Sequence, residues 1–164
     1  MVKPKTPAVT DHILDIASED RAPWLRPLAL SVLAEVARLP QCHSFAAPLE
    51  LSLLLTDDAG IQELNHKWRG VDEATDVLAF PLDEGACLGD VAISMDIAEQ
   101  RVDPPNWLLE DEVLFLLLHG VLHLLGYDHI EEDERAHMEA QEQALWTALG
   151  RSGTLRANLS VASR

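Results

Sequence analysis

The sequence predicts an α/β (α+β) fold: a small mixed β-sheet of about four strands packed with helices, built around one central helix. Three observations support it. Strand-like and helix-like patterns alternate along the chain. Residues 113–125 are almost wholly apolar apart from His119, Gly120 and His123, as a buried helix requires. The 164 residues, 48% of them apolar, suffice for one domain with a real core and are too apolar for a disordered chain.

In chain order, residues 1–8 read as a flexible tail and residues 9–149 as a single domain. Residues 12–17 alternate in part and form the first candidate strand. Leu25, Leu28, Val32, Leu33 and Val36 repeat at helical spacing within 23–39, and Pro40 lies just past the end. The Leu-rich run 49–56 reads as a strand. Asp57 or Asp58 can cap the next helix, whose apolar stripe is Ile61, Leu64 and Trp68 and which Gly70 stops. Residues 76–80 read as a buried strand closed by Pro81, 82–85 as a turn, and 88–94 as a strand with Val91 and Ile93 on one face. Residues 96–101 form a short helix. Pro104, Pro105 and Asn106 mark a break and then a cap for the central helix. A last helix covers about 131–149, with Met138, Leu145 and Leu149 inward, and Gly150 ends it. Residues 150–164 read as a flexible tail.

The central helix carries the most informative motif, His119-Gly-Val-Leu-His123-Leu-Leu-Gly126-Tyr-Asp-His129. Residues four apart share a helix face, so His119 and His123 can point at one metal ion. Gly126 can take the left-handed conformation that ends a helix, and the chain can then return His129 as a third ligand. A His pair on an apolar helix can also be mere packing. The third His and the glycine at the turn favour a metal, and three imidazoles leave one corner of a tetrahedral zinc open, as catalytic sites do. The spacing matches the long zinc-protease motif, except that Gly120 stands where the protease carries its general-base Glu.

The charge balance limits the partners. Twelve basic against 28 acidic side chains give a net charge of −16, which opposes non-specific nucleic-acid binding. An RNA-directed function would need a local basic patch, and no DNA partner is expected. The apolar runs are too short and interrupted to span a membrane, and the N-terminus lacks a secretory apolar core. Cys42 and Cys87 form no disulfide framework, so a cytoplasmic location is the default.

Four segments in this order and spacing resemble the YbeY family of bacterial endoribonucleases and ribosomal RNA maturation factors. They are Leu64-Asn-His-Lys-Trp-Arg69, Thr75-Asp-Val-Leu-Ala-Phe-Pro81, Leu88-Gly-Asp-Val-Ala-Ile93 and the His motif, with Met138 and Glu142 fitting the last helix. The resemblance covers roughly residues 9–149. It departs at Ala79, where the family usually has Ser, and it is loose over 95–105. It implies one zinc ion held by His119, His123 and His129, with single-stranded RNA as substrate class. It also implies a role in small-subunit ribosomal RNA processing and ribosome quality control. A small-subunit ribosomal protein and an Era-type GTPase are the implied partners. Arg69 corresponds to the family's functional arginine near the metal.

The chemistry that follows is phosphodiester cleavage. A His-ligated zinc can lower the pKa of water to about 7, and Arg69 can offer a bidentate fork to a phosphate. Otherwise Arg69 is a surface residue covering Trp68. Asp90 and Asp128 are candidates for proton transfer or for orienting an imidazole, although either can equally serve a turn or solvent. Thr75 and Asp76 suit a turn and strand start. His12, His43, His66 and His137 read as ordinary surface or partly buried residues, and Cys87 as a small buried one. The acidic run Glu131 to Glu134 suits a helix start facing solvent. Two rival functions stand beside the nuclease: a non-enzymatic assembly factor whose metal organises a groove, and a zinc hydrolase such as a peptidase, which Gly120 disfavours.

Overall fold

The computed structural model describes residues 11–44 and 48–155. The expected mixed sheet is present, with strand order β1-β2-β4-β3. Strands β1 (Ile13–Ala17), β2 (Glu50–Thr56) and β4 (Cys87–Ser94) run parallel, and β3 (Val77–Glu84) pairs antiparallel with β4 at the edge. The helices are α1 (Leu25–Val36), α2 (Asp58–Arg69), α3 (Met95–Gln100), α4 (Leu109–Leu124) and α5 (Glu132–Ala148).

Strand alternation sorts the side chains onto two faces. Leu14, Ile16, Leu51, Leu53, Leu55, Ala79, Val91 and Ile93 join one core with α1, α4 and α5. Leu78 and Ala92 face the other way, against Ile61 of α2, with Leu54, Leu64 and Phe80 packed around them. Helix α4 lies directly on β3 and β4 because residue 120 has no side chain: a Cβ there would sit 2.8 Å from Val91 Cγ1. Gly120 is thus the contact point between helix and sheet.

Several boundaries differ from the sequence expectation. Strand β3 continues through Pro81 to Glu84, and the hairpin turns at Gly85 and Ala86 instead of over 82–85. A proline is tolerated because β3 is an edge strand. Asn106 does not cap α4. Its N–H closes a turn on the Asp103 carbonyl at 2.8 Å, and Asp103 also bridges Trp107. Leu108 takes the cap position instead, and its N–H donates to Asp111 Oδ2 at 2.9 Å. Helix α1 stops at Val36, and a tighter helical turn, Pro40–Ser44, follows.

Other expectations fare unevenly. Asp57 caps α2 by accepting from the Gly60 N–H, and Gly70 ends it. Trp68 is not part of a buried stripe: it is 62% exposed. Cys87 is only partly buried and His12 is buried. The chain also stays docked beyond residue 150. Arg151 pairs with Glu110 and Asp111, and the Leu155 N–H donates to Gln143. Residues 1–8 and 156–164 lie outside the described residues.

Candidate metal centre

Helix α4 stacks His119 above His123, and Gly126, at φ +92°, turns the chain so that His129 comes back to them. A residue with a Cβ rarely adopts that φ. The three rings lie with centroids 4.6, 5.0 and 5.5 Å apart, and one ligand atom from each falls within 4.8 Å of the others.

The hydrogen bonds set which nitrogens face inward. His123 Nδ1 is 2.9 Å from the Tyr127 carbonyl, which can only accept, so Nδ1 carries the proton. His119 Nδ1 is 2.5 Å from Glu142 Oε1, again an acceptor. Burial, then the like charge of His119 and His129, lowers the His123 pKa to about 4, so this ring is neutral at pH 7. Its bare Nε2 lone pair faces His119 Nε2 at 3.0 Å. Two lone pairs so placed suit a cation between them, and a third imidazole beside them suits a metal ion. Neutral imidazoles with their outer N–H groups held by a carboxylate and a carbonyl are the usual form of metal-ligating histidines. The residues present therefore fit the metal that the motif implies.

Glu142 is the member that sequence reasoning did not assign to the site. It is buried on α5 in line with Met138, Leu145 and Trp146. A carboxylate one turn after Met138 on an otherwise apolar face was the available signal. Only the packing of α5 on α4 brings it to His119, 23 residues away.

A cavity of about 600 Å³ opens beside the histidines, and Arg69, Asp76, Ala79 and Asp128 line it too. Arg69 reaches it over the edge strand: its Nη2 donates to the Ala79 carbonyl at 2.9 Å, and its guanidinium lies 5.7 Å from the centroid of the Phe80 ring. It covers Phe80 and not Trp68. Asp128 lines the cavity, but its carboxylate accepts from the His129 N–H at 2.7 Å and fixes the loop, not an imidazole ring. Asp90 is not brought to the site. It stands opposite Phe80 on the α2 face of the sheet, away from the cavity. His66 is exposed, and His43 and His137 are also outside the cluster.

Asp76 turned out to be more than a turn residue. It is 1% exposed, caps the Val77 N–H, and meets Arg101 Nη1 at 2.8 Å. The same guanidinium reaches Glu112, which also accepts from the Trp107 indole N–H at 2.7 Å. This ion cluster ties α3 and α4 to the start of β3, behind the wall of the cavity.

Residues 19–150 match the protein family described as Endoribonuclease YbeY. The chain is similar to the endoribonuclease YbeY of Agrobacterium fabrum, at 44% identity over 112 residues, 64% of this chain and 67% of that protein. It is 43% identical to that of Roseiflexus castenholzii over 71% of this chain and 80% of the relative. The match to that of Desulfitobacterium hafniense is 38% identical and spans 80% of this chain and 93% of the relative. Among solved structures, the solution structure of TM1509 from Thermotoga maritima superposes with a TM-score of 0.52 at 27% identity, over 84% of this chain and 89% of that one.

Proposed function

The chain belongs to the endoribonuclease YbeY family, and from that premise we propose a zinc-dependent endoribonuclease that cuts single-stranded RNA. Its place would be small-subunit ribosomal RNA maturation and ribosome quality control in the cytoplasm. The observation that carries the reading is the convergence of His119, His123 and His129 on the cavity that Arg69 also lines. The imidazole set suits zinc. A zinc ion held there supplies Lewis acidity to a phosphate oxygen and lowers the pKa of water to about 7.

The chain's own residues do the rest. Glu142 and the Tyr127 carbonyl hold the two helix imidazoles so that Nε2 faces the cavity. Asp128 fixes the backbone that presents His129. The Ala79 carbonyl and the Phe80 ring orient the Arg69 guanidinium, whose other N–H donors can pair with a phosphate. Asp76 lines the cavity but shares its charge with Arg101, so it does not offset Arg69. The net charge of −16 therefore need not describe the field at the site.

One observation favours the rival assembly-factor reading: the carboxylates lining the cavity, Asp76 and Asp128, are already hydrogen-bonded to backbone N–H groups. No observation favours a peptidase, since position 120 abuts Val91 of the sheet. A small-subunit ribosomal protein and an Era-type GTPase remain the proposed partners. No helix among the described residues is long and apolar enough to cross a membrane.

The test is cleavage of a single-stranded RNA by the metal-loaded protein beside His123→Ala and Arg69→Ala prepared identically. Cleavage by the unmodified protein alone, stopped by a chelator, is expected. If none cuts, the assembly factor becomes the better reading; if all cut alike, the activity is a contaminant.

A further inference from the structure

The metal cavity does not end at Arg69. The guanidinium crosses the free edge of β3, with its carbon 5.7 Å from the Phe80 ring centroid. Phe80 sits on the opposite face of the sheet from the histidines, beside Trp68. The two rings are 6.4 Å apart at 58°, and they line a second cavity of about 440 Å³ together with Leu64 and Leu82. Trp68 is 62% exposed, although the other tryptophans are half-buried or buried. An indole left open on a helix end is not there for the core.

Charge distinguishes this patch as well. The last turn of α2 holds His66, Lys67 and Arg69, a basic cluster in a chain with 12 basic and 28 acidic side chains. The Lys67 ammonium lies 5.1 Å from the centroid of the Trp68 ring. Nearby Asp72 is engaged by Gln62 at 3.0 Å. An aromatic face flanked by cations is how proteins hold single-stranded nucleic acid: bases stack on the ring, and phosphates pair with the cations. Asp90, the cross-strand neighbour of Phe80, and Asp15 also line the second cavity; they can accept from base amino groups but repel phosphate, so the backbone is held on the Lys67 and Arg69 side.

We propose that Trp68, backed by Phe80, is a stacking platform for a nucleobase of the RNA whose backbone passes over Arg69 to the metal cavity. This rests on the endoribonuclease reading and adds to it a base-binding subsite on the other side of the edge strand. The strand would cross β3 at Arg69, with the scissile phosphate on the histidine side and a neighbouring base on the indole. Stacking does not depend on base identity, so the subsite contributes affinity and register more than sequence preference.

The test is binding of a fluorescently labelled single-stranded RNA to the metal-loaded protein and to its Trp68→Ala and Trp68→Phe variants. A parallel set of RNAs carries one abasic position, moved along the strand. Trp68→Ala should weaken binding roughly 5- to 100-fold, with Trp68→Phe retaining most of the affinity. One abasic position should weaken binding to the unmodified protein and leave Trp68→Ala unchanged. RNA should also quench an indole emission component that Trp68→Ala lacks. If Trp68→Ala binds as the unmodified protein does, or if every abasic RNA loses equally on both, the platform is wrong and the nuclease reading survives. If the unmodified protein binds no single-stranded RNA, both are overturned. Equal thermal midpoints for the three proteins exclude misfolding as the cause.

Discussion

Toward α4 the sheet presents Leu51, Leu53, Leu55, Val91 and Ile93, none more than 2% exposed. Toward α2 it presents Leu54 and Phe80, which are half-buried, and Asp90, which is exposed. Polar groups obey different rules on the two sides. On the dry side, Glu112, Asp76, His119 and Glu142 are buried, and each is bonded to a named partner. An unpaired polar group there would cost about 1–3 kcal/mol, and an unpaired charge more. On the open side, Lys67, Trp68 and Asp90 are exposed and can meet a ligand directly. The dry side fixes the outer nitrogens of His119 and His123 through Glu142 and the Tyr127 carbonyl, so that the cluster faces the cavity, and Arg69 links that cavity to the open side across the edge strand.

The largest expected effect lies where helix and sheet touch. Gly120→Glu restores the protease pattern on paper, but its Cβ alone would stand 2.8 Å from Val91 and 3.3 Å from Val77. The larger side chain would have to push the sheet away from α4 or bend into the cavity that Gly120 also lines, and the helix–sheet contact is lost either way. We expect a large loss of stability, above that of any other single change considered, as read by circular dichroism and the melting curve. A folded Gly120→Glu with an unchanged melting curve would show that the dry face is looser than its packing implies.

Arg101→Ala comes next. It removes the guanidinium shared by Asp76 and Glu112, whose side chains are 1% and 0% exposed. Removing one partner of a buried ion cluster destabilises by about 3–5 kcal/mol. Urea denaturation should show that loss, and a change below about 1 kcal/mol, the range of exposed pairs, would mean that water reaches the cluster.

These two residues also mark how far the sequence could be read. The histidine cluster was legible because its members lie within eleven consecutive residues, where helix spacing pairs His119 with His123 and a glycine turn returns His129. Strand and helix order was legible from apolar periodicity. The Arg101 cluster and the His119–Glu142 pair join residues 25, 11 and 23 positions apart, so only tertiary packing reveals them. Asp90 failed for another reason. Strand parity decides its face, and the register is irregular next to it: Gly89, at φ +137°, opposes Pro81, where a Cβ would meet the Phe80 carbonyl at 2.2 Å. The α4 cap was missed because residues 103–107 satisfy one another.

Glu142 offers a finer probe of the dry side. Residues that hold a ligating His through its other nitrogen typically change metal affinity by about 10–100-fold when removed. Zinc affinity, measured by competition with a chromophoric chelator, should fall by that amount in Glu142→Ala. Glu142→Gln should fall less, because its amide oxygen still accepts from His119 Nδ1. Equal affinity in all three proteins would leave Glu142 as packing alone.

The last effect separates the faces by pH. In the metal-free folded chain His123 has a pKa of about 4, against 6.5 as the ordinary value, chiefly through burial. Between those values the unfolded chain holds a proton that the folded chain refuses. The stability from this residue is therefore complete above pH 6.5, declines as pH falls toward 4, and levels off below, where the folded ring also protonates. His123→Gln should lack that part of the acid loss. His12, whose pKa burial also lowers, contributes equally to both proteins and cancels. With a chelator present, melting curves from pH 7 down to pH 4 should bring the unmodified protein down relative to His123→Gln through this window. A gap that stays constant with pH would mean that the folded chain does not hold His123 below its ordinary pKa, and the histidine cluster would then behave like the open side of the comparison.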